Sequence, residues 1–249
     1  MLYPYQLGAA EYLAQEFETS SLQCAGHSAG FAAALCLAAS VPCSLHWQVL
    51  CHARARWRTR WLGFVGDSEE QWMAPYLCAL APFEAAILAA AAEGRLTLGH
   101  TRVRLLRPGR WPPLRAGHAV TCAFSSLRAF VHAVTVSQRC PPFYRAPGWL
   151  HGAWGIDGAF SALFTMPPGC SSARLLSVSP TNPLADIAPQ TPLPPSWFCT
   201  VPSAERWETL RAMGFRDAQA ARDVCLQRGL TPRGKGRAAA PAETGARIE

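Results

Sequence analysis

Apolar residues in the first seventeen positions recur on a helical period. Leu7, Ala10, Tyr12, Leu13 and Phe17 alternate with acids, which predicts an amphipathic helix over residues 3–17. Residues 21–25 form a strand-length apolar run into Gly26. An Ala/Leu-rich helix is predicted over 29–39, stopped by Val41-Pro42. The spacing predicts a helix over 45–61 carrying Arg54, Arg56, Arg58 and Arg60. A two-residue step turns about 200° on a helix, so these arginines fall on two faces. Residues 73–92 read as a very apolar helix kinked at Pro82, and 96–106 alternate like a strand. A helix over 125–136 precedes a proline-rich loop at 140–147. Residues 153–156 read as a strand entering the Asp157-Gly158 turn, 174–178 as a short strand, and 207–225 as a helix. From Thr231 onward Gly, Pro, Ala and charges predominate, predicting a disordered tail over 231–249. Helices alternating with short apolar strands predict a three-layer α/β domain.

Composition narrows this picture. The 249 residues suffice for one sizeable domain, and with 50% apolar and 16% charged residues the chain reads as globular. Its ten cysteines show no C-x-x-C spacing and mostly sit in apolar runs. They read as buried, reduced thiols of an intracellular protein, with no structural zinc and no other metal. The net charge of +7 comes almost entirely from arginine, Lys235 being the one lysine. No recognition motif accompanies it, so nucleic acid is not an expected partner. No continuous apolar run reaches the roughly 18–20 residues of a membrane span: residues 31–41 are too few, and 77–92 are interrupted by Pro82 and Glu84. The first twenty residues carry Glu11, Glu16 and Glu18 and no basic start, unlike a signal peptide. The expectation is a soluble, cytoplasmic protein whose membrane contact is peripheral.

The candidate chemistry centres on Gly26-His27-Ser28-Ala29-Gly30. In a Gly-x-Ser-x-Gly turn the serine occupies a strained strand-to-helix elbow, and flanking side chains would clash. Its hydroxyl then stands at a helix N-terminus that favours developing negative charge. Such a serine needs a base. A Ser…Asp…His order fails, because the histidines are at 27, 46, 52, 100, 118, 132 and 151 and none follows Asp157. His151 paired with an earlier acid such as Glu84 is left without a supporting motif. Asp157, in Trp154-Gly155-Ile156-Asp157-Gly158-Ala159, stands at a predicted strand end, from which a carboxylate can act directly on a serine hydroxyl. By itself the same dipeptide reads equally as an ordinary Asp-Gly turn.

Taken in order, Tyr5-Gln6-Leu7-Gly8-Ala9-Ala10, Gly26-His27-Ser28-Ala29-Gly30 and Asp157-Gly158-Ala159 resemble the patatin-like phospholipase family. Further segments are similar to its adipose triglyceride lipase and adiponutrin-like branch. They are Leu80-Ala81-Pro82-Phe83-Glu84-Ala85, Gly94-Arg95-Leu96, Pro142-Phe143-Tyr144, and Ser177-Val178-Ser179-Pro180 with Asp186-Ile187-Ala188-Pro189. The resemblance covers roughly residues 3–220. It implies an α/β/α fold on a mostly parallel sheet, with the acyl hydrolase domain over 1–172 and a C-terminal extension over 173–230 packing on it. It further implies a Ser28-Asp157 dyad, no cofactor, a glycerolipid ester as substrate, and peripheral contact with membranes or lipid droplets.

The family's glycine-rich oxyanion loop precedes the Tyr-x-x-Gly helix, and this sequence opens at Met1 within or just past it. The expectation is therefore a domain without its first strand. Two functional forms fit: a lipase whose N-terminal segment lies outside this sequence, or a catalytically impaired relative that binds lipid surfaces or partners.

Overall fold

The computed structural model describes residues 2–58, 69–105, 114–140, 147–162, 164–170, 175–194, 196–199 and 203–234. Pro142-Phe143-Tyr144 and the tail beyond 234 lie outside these residues. Nine α-helices and five strands are described in the order α1 (Tyr3–Glu16), β1 (Cys24–Gly26), α2 (Gly30–Ala38), α3 (Cys43–Arg58), α4 (Glu69–Leu80), α5 (Glu84–Ala92), β2 (Leu96–Leu105), β3 (Leu114–Thr121), α6 (Leu127–Ser137), β4 (Gly148–Leu150), β5 (Ala153–Ile156), α7 (Ser196–Cys199), α8 (Ala204–Ala220) and α9 (Arg222–Gln227). The class is mixed α/β.

The sheet is organised around β2. On one edge β2 pairs with β3, Leu98 opposite Thr121 through Leu105 opposite Leu114. Its other edge is shared by two strands placed end to end. β1 runs parallel along it (Gly26 opposite Leu98), and β5 runs antiparallel (Ile156 opposite Thr101). β4 then pairs with β5. The C-terminal ends of β1 and β5 therefore point at each other across the short stretch Gly99-His100.

The expected mostly parallel sheet is corrected by these pairings: only β1/β2 is parallel, and the other three described pairings are antiparallel. Parallel neighbours need a crossover of about a dozen residues or more. The segment between β2 and β3 is shorter than that, and β4 reaches β5 through His151-Gly152. Both turn residues have positive φ, 48° and 73°, the primed hairpin geometry that matches strand twist. The strand expected at 174–178 is replaced by a single bridge from Val178 to Ile187.

Residues 74–92 change another expectation. This segment is long and apolar enough to cross a membrane by length and composition. A 3-10 turn at Ala81–Phe83, carrying Pro82, divides it into α4 and α5, and Ile87, Ala90 and Ala91 of α5 are buried.

Burial explains the remaining packing. Leu35, Ile87, Leu96, Leu98, Phe130 and Val134 lie in one apolar core. Gly148 and Gly155 each come so close to α6 that a Cβ would lie 2.5 Å from Val136. α8 crosses α1 backbone to backbone: a Cβ on Gly8 would lie 1.9 Å from the Arg211 carbonyl oxygen, and one on Gly214 1.9 Å from that of Tyr5. Around this crossing Tyr5 donates to Asp217 at 2.8 Å. Arg211 grips Glu11 through two bonds of 3.0 Å, the bidentate form that adds directionality to charge. Cys24, Cys36 and Cys225 are buried free thiols.

Candidate functional site

Ser28 follows β1 and precedes α2. Its φ is +48°, a left-handed conformation that L-residues other than Asn, Asp and Gly rarely adopt. Holding it costs on the order of 1–3 kcal/mol, which the surrounding contacts must supply. The glycines of the pentapeptide make the turn sterically feasible. A Cβ on Gly26 would lie 2.5 Å from both the carbonyl carbon and oxygen of Gly30 and 2.8 Å from the Phe31 nitrogen. The chain thus folds back on itself too tightly for any side chain at 26. Gly30 N–H closes the turn on the His27 carbonyl at 2.8 Å, and Ala29 stands immediately before the first turn of α2.

One hydroxyl pins the elbow to β2, and a second bonds to its histidine. Ser28 N–H donates to Ser137 Oγ at 2.9 Å, and Ser137 Oγ donates to the Gly99 carbonyl at 2.7 Å. His27 Nδ1 and Thr165 Oγ1 are 2.9 Å apart. Burial, reinforced by the nearby His118, lowers the His27 pKa to about 4. The ring is therefore neutral at neutral pH and is a packing element of the elbow. It lies on Gly158, where a Cβ would be 2.5 Å from His27 Cβ.

Asp157 leaves the end of β5 with only 3% of its surface exposed. Its backbone is fixed by N–H donation to the Arg139 carbonyl at 3.1 Å and by acceptance from Thr101 Oγ1 at 2.7 Å. Its carboxylate accepts the Ala159 N–H at 2.9 Å and lines the same cavity as Ser28. Burial pushes the Asp157 pKa up, and the neighbouring Ser28 hydroxyl and Ala159 N–H pull it back only in part. A carboxylate with a raised pKa is a stronger base, poised closer to neutral pH. The opposed ends of β1 and β5 are what bring Ser28 and Asp157 together across 129 residues of chain.

The pair opens into a cavity of about 460 Å³, within the usual range of small-ligand pockets. Gly26, His27, Ser28, Ala29, Gly30, Asp157 and Ala159 all line it; Gly158 sits behind them against His27. The alternative base pair is not assembled here. His151 sits exposed at the tip of the β4–β5 turn. Glu84 caps α6 by accepting the Leu127 N–H at 3.0 Å. Among the described residues no group of three or more His, Cys, Asp or Glu side chains could hold a metal ion.

Ser137, Thr165 and Thr101 were not apparent as site residues, because nothing in their spacing links them to Ser28 or Asp157. Gly99 did carry a signal: an isolated glycine within a strand marks close approach, and here a Cβ would lie 2.0 Å from Thr165 Oγ1. Comparison with protein-family models, with curated proteins and with solved structures finds no match for this chain.

Proposed function

We propose that the chain is a serine acyl hydrolase that cleaves fatty-acyl esters of glycerolipids through a Ser28-Asp157 dyad, on a patatin-like three-layer α/β/α domain. One observation carries this reading: Ser28, at positive φ on a strand-to-helix elbow, and the buried Asp157 line one largely apolar cavity, with the Ser28 hydroxyl close enough to lower the Asp157 pKa. Strain of this kind is retained where function requires it.

In the proposed reaction Ser28 Oγ attacks the ester carbonyl carbon while its proton passes to Asp157. The tetrahedral oxyanion faces the start of α2, where the N–H of Ala29, next after the nucleophile, is the natural donor. Collapse breaks the bond to the alcohol oxygen, which takes the proton from Asp157, leaving Ser28 acylated. Asp157 then deprotonates a water that attacks the acyl carbon, and the fatty acid departs as Ser28 recovers its proton. His27 takes no part in these transfers. No cofactor enters this scheme.

Contact with a lipid surface is part of the same reading. Trp149 and Trp154 are 55% and 44% exposed and stack edge to face at 5.1 Å. Exposed tryptophans of this kind suit the headgroup region of a bilayer or droplet. We place the activity in the cytoplasm, at such surfaces.

The deciding measurement is hydrolysis of a p-nitrophenyl acyl ester by wild type, Ser28→Ala and Asp157→Asn. Activity in the wild type, with loss of about 10³-fold or more in both variants, is expected for a nucleophile and its base. Equal rates in all three would overturn the proposal.

A further inference from the structure

The cavity extends well beyond the dyad, and its walls change character along its length. On α2 the lining residues are Gly30, Ala33, Ala34 and Leu37, spaced i, i+3, i+4 and i+7 on one helix face. The three beside Ser28 are small, and the fourth is a leucine. α1 lines the cavity as well, with Gln6 close to Gly30 and Leu13 one face-repeat further on. Leu13 is 2% exposed. Leu22, together with Leu176, Val178 and Leu230 from the last third of the chain, also lines the cavity. These leucines belong to, or pack against, the second apolar cluster of the fold. Along α2 and α1 the wall therefore changes from Gly30, Ala33, Ala34 and Gln6 to Leu37 and Leu13.

The segment that carries Leu176 and Val178 is held in place. Asp186 accepts the Ser177 N–H at 2.8 Å and the Ser177 hydroxyl at 2.7 Å, and it pairs with Arg228 at 2.7 Å. The residues beside Leu176 and Leu230 are thereby tied to each other.

We propose that this cavity is a slot for a single linear acyl chain of medium length, and that Leu37, Leu176 and Leu230 set its limit. The inference rests on the acyl hydrolase reading and adds to it a substrate length and the residues that choose it. Seven residues of helix separate Gly30 from Leu37, about 10 Å at 1.5 Å per residue. An extended chain advances about 1.2 Å per bond, as three backbone bonds span about 3.5 Å. The straight run thus holds about eight or nine carbons. The volume of about 460 Å³ lies toward the lower end of the roughly 300–1,000 Å³ typical of ligand pockets, in keeping with one chain rather than two.

The test is a series of p-nitrophenyl esters from acetyl to palmitoyl, assayed below the concentration at which they form micelles. For the wild type, kcat/KM should climb by up to about fourfold per methylene to a maximum near octanoyl or decanoyl, then fall. Leu37→Ala and Leu230→Ala should each move the maximum to longer chains by two carbons or more. Ala33→Trp should lower the decanoyl-to-acetyl ratio of kcat/KM at least tenfold. If Ala33→Trp does not fold, as judged by circular dichroism, the two leucine variants still decide the matter. A maximum that stays in place in both leucine variants overturns the slot. Calorimetric titration of Ser28→Ala with decanoate separates this inference from the dyad. Saturable binding that is weakened by adding Ala33→Trp, or by Leu37→Trp where that pairing does not fold, supports the slot even if the dyad fails. Absence of binding counts against the slot even if Ser28 proves to be the nucleophile.

Discussion

Gly158 lies against His27 so closely that a methyl group on its Cα would be 2.5 Å from His27 Cβ and 3.1 Å from the Gly99 carbonyl oxygen. The two short motifs of this chain, one around Ser28 and one around Asp157, thus touch through the residues next to their reactive groups. Gly158→Ala should push the Asp157 turn away from the elbow. Overpacking of this kind costs about 1–3 kcal/mol, and the geometry of the dyad should suffer more. The expected result is a soluble protein, less stable in urea by that amount, whose ester hydrolysis falls at least 10²-fold. Retention of wild-type turnover would show that this contact does not set the distance between the two groups.

The left-handed backbone of Ser28 predicts an unusual trade. Glycine tolerates φ of +48° without strain, while its extra freedom in the unfolded chain costs about 0.5–1 kcal/mol. Relief of on the order of 1–3 kcal/mol should prevail. Ser28→Gly should therefore have an unfolding free energy about 1 kcal/mol above that of Ser28→Ala, which also loses the hydroxyl beside Asp157 but keeps the left-handed backbone, and neither variant should hydrolyse esters. Equal stability of the two variants would mean that the backbone at this position is not strained.

A base whose pKa lies above the usual 3.8 of a carboxyl must still be ionised to accept the Ser28 proton. The rate of acylation should therefore fall as the pH is lowered, with a midpoint above 3.8, and level off at higher pH. Asp157→Asn should lose about 10⁴-fold in turnover and show no such acidic limb. An acidic limb that survives in Asp157→Asn would assign it to another group.

Three histidines, two of them fully buried and His27 half-buried, predict acid lability of the fold. Burial lowers His27 and His100 to about 4 and His46 to about 3, whereas the unfolded chain titrates near 6.5. Between pH 6.5 and these values the unfolded state binds more protons, so stability is fully present above 6.5 and drains away as the pH falls. The slope approaches about 1.4 kcal/mol per pH unit for each proton taken up. Urea denaturation at pH 7, 6 and 5 measures it, and His46→Phe should make it shallower. An unchanged slope in that variant would show that His46 does not contribute.

Ser137 offers a test of the scaffold without touching the reactive atoms. Its hydroxyl joins Ser28 N–H to the Gly99 carbonyl, and it is fully buried. Ser137→Ala leaves both groups unsatisfied, at a cost of about 1–3 kcal/mol. Ser137→Thr should restore part of that stability if the added methyl is accommodated. Equal stability of wild type and Ser137→Ala would show that water satisfies the pair instead.

What could be read from the sequence follows from how local each requirement is. The elbow was legible because Gly26 and Gly30 meet within five residues, so their spacing records their contact. The kink at Pro82 was legible for the same reason: a proline acts on its own turn. Strand direction was not. Nothing within 153–156 states which way β5 runs along β2, and a family expectation of parallel strands misled. β3 escaped notice because Arg115, Gly117 and His118 leave Leu114–Thr121 without a clear apolar face, in keeping with its exposed position. That Leu176 and Leu230 line the same cavity as Ser28 depends on chain return over some two hundred residues, which no local pattern encodes.

The crossing of α1 and α8 through Gly8 and Gly214 ties the order of synthesis to the assembly of the elbow's surroundings. α1 emerges from the ribosome long before its partner helix, which begins at Ala204, and contacts of such long sequence separation form slowly. Until then Tyr5 and Glu11 lack Asp217 and Arg211, and the α1 surface that receives α8 is uncovered. A translation product halted before residue 204 would hold the whole Ser28-Asp157 pair and still lack the helix that seats one wall of its cavity. Such fragments are the expected substrates of chaperones and proteases.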